Sequence, residues 1–265
     1  MIDLEVLNRV RSAVCAIGLL QVTGEAAGKY IVRPVLEVFG TGFLVLDSTV
    51  MTNRHVIEGI LEQQESRSIP DNRRYLMFTF PAGRALAAAF CRWTKHKVVT
   101  IPEFDVGFID FKRVQGEPGF DQCRPLQFAP AKSVYVGKPV AALGYPYGTD
   151  MLERDGRIYR FGAILQQGHV SAVAPFDGAA NLSDIMLDLR VGPGMSGSPV
   201  FYPEDGSVAG MIYATWEATT GVAVPTDPTW VKAWLMLREF DTVPNKIMQM
   251  IKSMLYPTPS QRRPD

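Results

Sequence analysis

The sequence predicts an all-β protein built as two barrels, with short helices at its ends. Three observations lead to it. Short apolar runs broken by Gly, Pro and Asp fill the first half: Tyr30 to Val38, Thr41 to Leu46, Tyr75 to Phe80 and Val106 to Phe111. Many short strands at close spacing are the pattern of barrels and sandwiches. The same texture resumes from Pro139 to Pro225, after a Pro- and Gln-containing segment around residues 122–132. Helical spacing is confined to the two ends. Leu4, Leu7, Val10 and Val14 predict an N-terminal helix, and Trp230 to Phe240 predicts another. A last helix is expected over Val243 to Leu255, with Ile247, Ile251, Met254 and Leu255 on one side, before a polar, Pro-rich tail. The expected domains are an N-terminal helix over 1–14, a first barrel over 15–128, a second barrel with its following helix over 129–240, and a C-terminal helix and tail over 241–265.

Composition narrows the function classes. Of 265 residues, 47% are apolar, enough for a real core, and 27 basic residues balance 27 acidic ones. A chain without net charge has no field to gather nucleic acid or anionic lipid, so neither is an expected partner. No apolar run approaches the roughly 20 residues of a membrane helix, and the opening MIDLEVLNRV lacks a charged region followed by an apolar one. Cys15, Cys91 and Cys123 are odd in number and cannot all pair within one chain. Free thiols in a reducing compartment are expected, hence a cytoplasmic location. No Cys or His pair has ligand spacing, so no metal is expected.

The strongest chemical signal is Gly192-Pro193-Gly194-Met195-Ser196-Gly197-Ser198-Pro199-Val200. Amide cleavage needs an exposed nucleophile and backbone N–H groups aimed at the developing oxyanion. Glycine permits the backbone shape that turns those groups inward. Ser196 is the candidate nucleophile, and the N–H groups of Gly194 and Ser196 are the candidate oxyanion hole. One such donor is worth about 3 kcal/mol of transition-state stabilisation.

A nucleophilic Ser needs a base, and there are three histidines. His55 follows an apolar strand in Thr52-Asn53-Arg54-His55-Val56 and precedes an expected turn. His96 sits in the basic stretch Lys95-His96-Lys97, where neighbouring cations disfavour an imidazolium. His169 opens a strand in Gly168-His169-Val170. For the acid that orients the base, Asp105 stands immediately before the apolar run Val106-Gly107-Phe108-Ile109, with Asp110 as its competitor.

Taken in order, these segments resemble the trypsin/chymotrypsin-like superfamily of serine proteases, most closely the bacterial Deg/HtrA-type peptidases without the peptide-binding domain such proteins carry after the protease. Val136-Gly137-Lys138-Pro139 through Gly144-Tyr145-Pro146-Tyr147-Gly148, and Gly221-Val222-Ala223-Val224-Pro225-Thr226, add to the likeness, which spans roughly residues 5–238. The resemblance implies two six-stranded antiparallel barrels in the chymotrypsin-like arrangement, with the site between them. It implies Ser196 as nucleophile, His55 as base and Asp105 as orienting acid, acting on a protein or peptide substrate with no metal or organic cofactor. It also implies a specificity pocket between the segment before Ser196 and Tyr213-Ala214-Thr215, with Gly221 on a neighbouring wall. Arg190 stands where a trypsin-type pocket has its floor, and so predicts preference for an acidic substrate residue.

Two departures follow. Secreted members carry an Asp before the nucleophile, which pairs with a freshly cut N-terminus; here the residue is Met195, so activation of that kind is not expected. The charged stretch 148–161, holding Asp150, Glu153, Arg154, Asp155 and Arg157, is a candidate for holding or regulating the oxyanion loop, alongside a regulatory protein partner. An α/β-hydrolase reading fails because its triad runs Ser, acid, His, and no His follows Ser196. A catalytically silent, protease-like binding domain is the remaining alternative.

Overall fold

A computed structural model describes residues 2–26, 29–82, 85–101, 105–112, 123–146, 151–154, 157–160, 162–178, 182–216, 220–238, 246, 249–251 and 253. Helix α1 (Leu4–Ala13) starts where the Asp3 side chain accepts the Glu5 N–H, a short acidic cap of the usual kind. It buries Val10 and Ala13 but leaves Leu4 at 68% exposure. Leu4 therefore lies off the apolar stripe that its spacing predicts, and Val14 already belongs to the first strand.

Six strands then close the first barrel: β1 (Val14–Ala26), β2 (Lys29–Leu46), β3 (Thr49–Thr52), β4 (Arg74–Ala82), β5 (Ala85–Ile101) and β6 (Val106–Phe111), in the order β1-β2-β3-β6-β5-β4. All neighbours are antiparallel. Closure removes the sheet edges that would otherwise offer unpaired backbone. The runs Tyr30–Val38 and Thr41–Leu46 belong to one long strand, β2. Pro34 is tolerated there because it pairs only with Val22 of β1, while β3 reaches β2 only at Phe43 to Leu46.

Between β3 and β4 the chain forms α2 (Arg54–Ser66), where the sequence predicts only a turn. Its buried residues are Val56, Ile57, Ile60 and Gln64, a helical stripe. α2 lies close against β6: a Cβ on Gly107 would fall 2.5 Å from Ile57 Cδ1.

The second barrel contains β7 (Pro139–Gly144), β10 (Ile164–Ala174), β11 (Asp184–Leu187), β12 (Pro199–Phe201), β13 (Val208–Trp216) and β14 (Thr220–Pro225), ordered β10-β11-β14-β13-β12-β7. Between β7 and β10, β8 (Met151–Arg154) and β9 (Arg157–Arg160) form a separate hairpin. The charged side chains of 148–161 lie outside the described residues. One core fills this barrel, from Val140 and Ala142 to Ile212 and Ala223. The other fills the first barrel and runs into the seam, where Tyr145, Phe201 and Met211 join it. The Thr79 and Tyr145 hydroxyls meet across the seam at 3.1 Å.

Helix α3 (Pro228–Leu237) is capped by Asp227, which accepts the Thr229 N–H, and opens on Pro228. Trp234 stacks on Phe108 of β6, with ring centroids 5.4 Å apart, so α3 closes over the first barrel. Of the expected last helix, Lys246, Gln249, Met250, Ile251 and Ser253 are helical and Ile251 is buried in the same core; Ile247, Met254 and Leu255 lie outside the described residues. Among the described residues no helix is long and apolar enough to cross a membrane.

Candidate active site

His55 is the second residue of α2, and its place is set by strand register. Thr52 of β3 pairs with Gly107 of β6, so the chain leaving β3 and the chain entering β6 lie side by side. The Arg54 N–H and Asn53 Nδ2 both donate to the Asp105 carbonyl at 3.1 Å. Asp105 itself takes φ +44°, a left-handed conformation that Asp tolerates better than most residues. Its carboxylate then grips His55 twice. Oδ1 accepts the His55 N–H at 3.0 Å, and Oδ2 lies 2.7 Å from Nδ1. The short ring contact is of charge-assisted length. Asp110, the competing acid, accepts instead from the Thr49 hydroxyl at 2.6 Å.

Ser196 lies on a loop whose shape is set by two glycines. The Gly192 carbonyl accepts the Met195 N–H at 3.0 Å, with Pro193 and then Gly194 at φ +92° between them. That is the signature of a type II turn, which takes Pro at its second position and needs positive φ at its third. A Cβ on Gly194 would clash with the Tyr145 carbonyl, and one on Gly197 (φ +86°) with the Thr41 carbonyl. Met195 is fully buried in the second core, with Ser198 Oγ 3.7 Å from its sulfur. Among the described residues, neither the Gly194 nor the Ser196 N–H has a protein acceptor.

The main chains of the two segments approach each other across the seam. The Thr41 N–H donates to the Ser196 carbonyl at 2.8 Å. A Cβ on neighbouring Gly40 would sit 2.6 Å from Val56 Cγ2 and 3.0 Å from that same carbonyl. The main chain of Ser196, the bare Cα of Gly40 and the residue after His55 therefore converge.

The other two histidines lie on strands of their own, β10 and β5. His169 forms a second clamp of the same type: its N–H donates to Asp188 Oδ1, and its Nδ1 lies 3.3 Å from Oδ2. It sits on β10 opposite Pro139 of β7. His96 is on β5, with its side chain outside the described residues.

Of the expected pocket residues, Tyr213, Ala214 and Thr215 continue a strand bound to the nucleophile loop. β13 is tied to the nucleophile loop by Gly197 N–H to the Ile212 carbonyl (2.8 Å) and Ile212 N–H to the Ser198 carbonyl (3.0 Å). That places Tyr213, Ala214 and Thr215 beside the loop. Thr215 pairs with Gly221, whose missing side chain leaves room for Val191. Arg190 is exposed, between buried Leu189 and partly buried Val191.

The Tyr213 hydroxyl donates to Asp184 Oδ1 at 2.5 Å. Burial, then this carboxylate, then the charge of Asp105 push its pKa up to about 12. Burial likewise raises that of Tyr145. A tyrosine raised in the fold stabilises it fully below the unfolded pKa of about 10. That contribution is lost as pH climbs from there through about 12. Urea midpoints are therefore expected to fall over this interval, and Tyr213→Phe is expected to make the fall shallower.

Thr41 is the residue that motif reading passes over. It appears as one polar position within an apolar strand, flanked by Gly40 and Gly42. Its place between two glycines is the one local mark in the sequence, and its full burial is visible only in the structure.

Against known proteins, residues 40–211 match the family model of the trypsin-like peptidase domain, more than half of the chain. No curated protein matches the sequence. Among solved structures, the HtrA-type protease AlgW with a decapeptide aligns at TM-score 0.55 and 14% identity, over 94% of this chain and 66% of its own. The chain thus spans just under two thirds of AlgW. Deg5 aligns at TM-score 0.54 and 18% identity, over 86% of this chain and 90% of its own. The active form of the Rv3671c protease from M. tuberculosis aligns at TM-score 0.50 and 20% identity, over 83% and 79%. Two closed six-stranded barrels, and a family model spanning the segments of His55, Asp105 and Ser196, place the chain in the trypsin-like peptidase family, in the fold of HtrA- and Deg-type proteases.

Proposed function

We propose that the protein is a serine endopeptidase that cleaves peptide bonds through an acyl-enzyme formed on Ser196. The observation that carries this reading is the double grip of Asp105 on His55. Both carboxylate oxygens are engaged as acceptors, so Nδ1 keeps its proton and donates it to Oδ2, and Nε2 is left as the basic nitrogen. Nε2 takes the Ser196 proton as Oγ attacks the scissile carbonyl, then returns it to the leaving amine. The Gly194 and Ser196 N–H groups, without acceptors among the described residues, receive the oxyanion. Water then repeats the sequence to release the acid. The alternative, a silent binding domain, has less support, because the gripped His55 adjoins, through Val56, the Ser196 main chain and two N–H groups without acceptors among the described residues. Reduced, buried Cys15, Cys91 and Cys123 suit a reducing, bacterial cytoplasm, where a regulatory partner would restrain the enzyme.

Mass spectrometry of newly formed protein N-termini, comparing wild type with Ser196→Ala, tests the activity. The expected result is a set of cleavages present only with wild type; identical sets from both would remove the proposal.

The substrate preference rests on Arg190, an exposed cation beside the nucleophile loop in sequence. It attracts an acidic substrate residue by charge pairing. A peptide-library profile is expected to favour Asp or Glu in wild type and to lose that preference in Arg190→Ala. A wild-type profile without acidic preference would leave small or apolar residues as the preferred class.

A further inference from the structure

With Met195 in place of an acid, no ion pair at that position can hold the oxyanion loop. The structure supplies another device. Thr41 belongs to β2 of the first barrel and is fully buried. Its hydroxyl donates to the Gly194 carbonyl at 2.7 Å and accepts the Tyr145 N–H at 3.1 Å. Its own N–H donates to the Ser196 carbonyl at 2.8 Å, and its carbonyl accepts the Thr52 hydroxyl at 2.7 Å. Every polar atom of the residue is thus used.

The pattern is specific to the proposed oxyanion hole. Gly194 and Ser196 are the two residues that present N–H donors there, and Thr41 holds the carbonyl of each. The carbonyls of Gly192 and Met195 are satisfied within the loop, by the N–H groups of Met195 and Ser198. Rotating the Gly194 carbonyl away would leave the buried Thr41 hydroxyl without an acceptor, which a closed interior penalises.

Resting on the endopeptidase reading above, we infer that Thr41 is a positioning residue for the oxyanion hole. It is an uncharged clamp reaching from one barrel to the nucleophile loop of the other. It touches no substrate and acts through the geometry of Gly194 and Ser196.

Thr41→Val keeps the shape and removes the hydroxyl; Thr41→Ser keeps the hydroxyl. Thr41→Val is expected to lower kcat by about 10²-fold with KM within about threefold, whereas Thr41→Ser stays within about fivefold of wild type. Affinity for a peptidyl boronic acid, which forms a tetrahedral adduct on Ser196, is expected to fall in step with kcat/KM. Affinity of an intact substrate peptide, measured in the Ser196→Ala background, is expected to hold. A Thr41→Val enzyme with wild-type kcat would overturn the inference, as would equal losses of boronate and peptide affinity, which mark general damage. Should Thr41→Val not fold, the wild-type boronate complex decides. Thr41 Oγ within about 3.2 Å of the Gly194 carbonyl oxygen supports the clamp, and a broken contact overturns it. Wild-type protein that takes no fluorophosphonate sinks the protease reading and this inference together. Labelled wild type beside an unaffected Thr41→Val sinks the inference alone.

Discussion

Ser196→Ala is expected to lower peptide hydrolysis by a factor on the order of 10⁶ in kcat, and His55→Ala by a similar factor. The size follows from the two acting as one unit. Without Nε2 the hydroxyl keeps its proton, and without the hydroxyl the base has nothing to activate. The double variant is therefore expected to be no slower than either single one. What remains should come from the oxyanion donors and substrate binding, which do not need the pair. Both side chains lie outside the two cores, so thermal unfolding of the variants is expected to match wild type. Steady-state kinetics and a melting curve on the same samples separate lost chemistry from lost fold.

Asp105→Asn is expected to cost about 10⁴ in kcat, a loss of the kind that follows when a triad base is held in the wrong tautomer. The geometry here explains how. One carboxylate oxygen faces the His55 main-chain N–H, which can only donate. An asparagine at 105 must turn its amide oxygen to that N–H, leaving its NH₂ group toward Nδ1. Nδ1 must then accept, which moves the ring proton to Nε2, where a lone pair is needed. Asp105→Ala instead lets the ring choose its tautomer but leaves it unheld. The asparagine variant is thus expected to be at least as impaired as the alanine variant, although it is nearer to wild type in shape. Measured kcat for the three enzymes checks the order.

The triad candidates were legible because their chemistry admits few residues. With three histidines in the chain, and one Ser between glycines, the base and nucleophile had few places to be. The two-barrel plan was legible from β-texture repeated on both sides of residues 122–132. Helix α2 was not. Val56, Ile57 and Ile60 follow a strand directly, and over so short a span apolar residues do not distinguish a turn or strand from a helical stripe. Leu4 has helical spacing, yet the packing of α1 leaves it facing water. Thr41 was out of reach for a different reason: its partner Gly194 lies 153 residues away. No local pattern encodes which carbonyl a buried hydroxyl will meet once two barrels close on each other. Met195 was legible as a missing charge, but its burial in the second core shows how the loop is anchored from below while Thr41 holds it from the side.

The central claim is that His55 makes Ser196 nucleophilic. Reaction with a fluorophosphonate, followed by peptide mass mapping, tests it most directly. The account predicts one phosphonyl adduct, on Ser196, and a labelling rate at least about 10³-fold slower in His55→Ala. An adduct on a different residue, or equal labelling of wild type and His55→Ala, would contradict it.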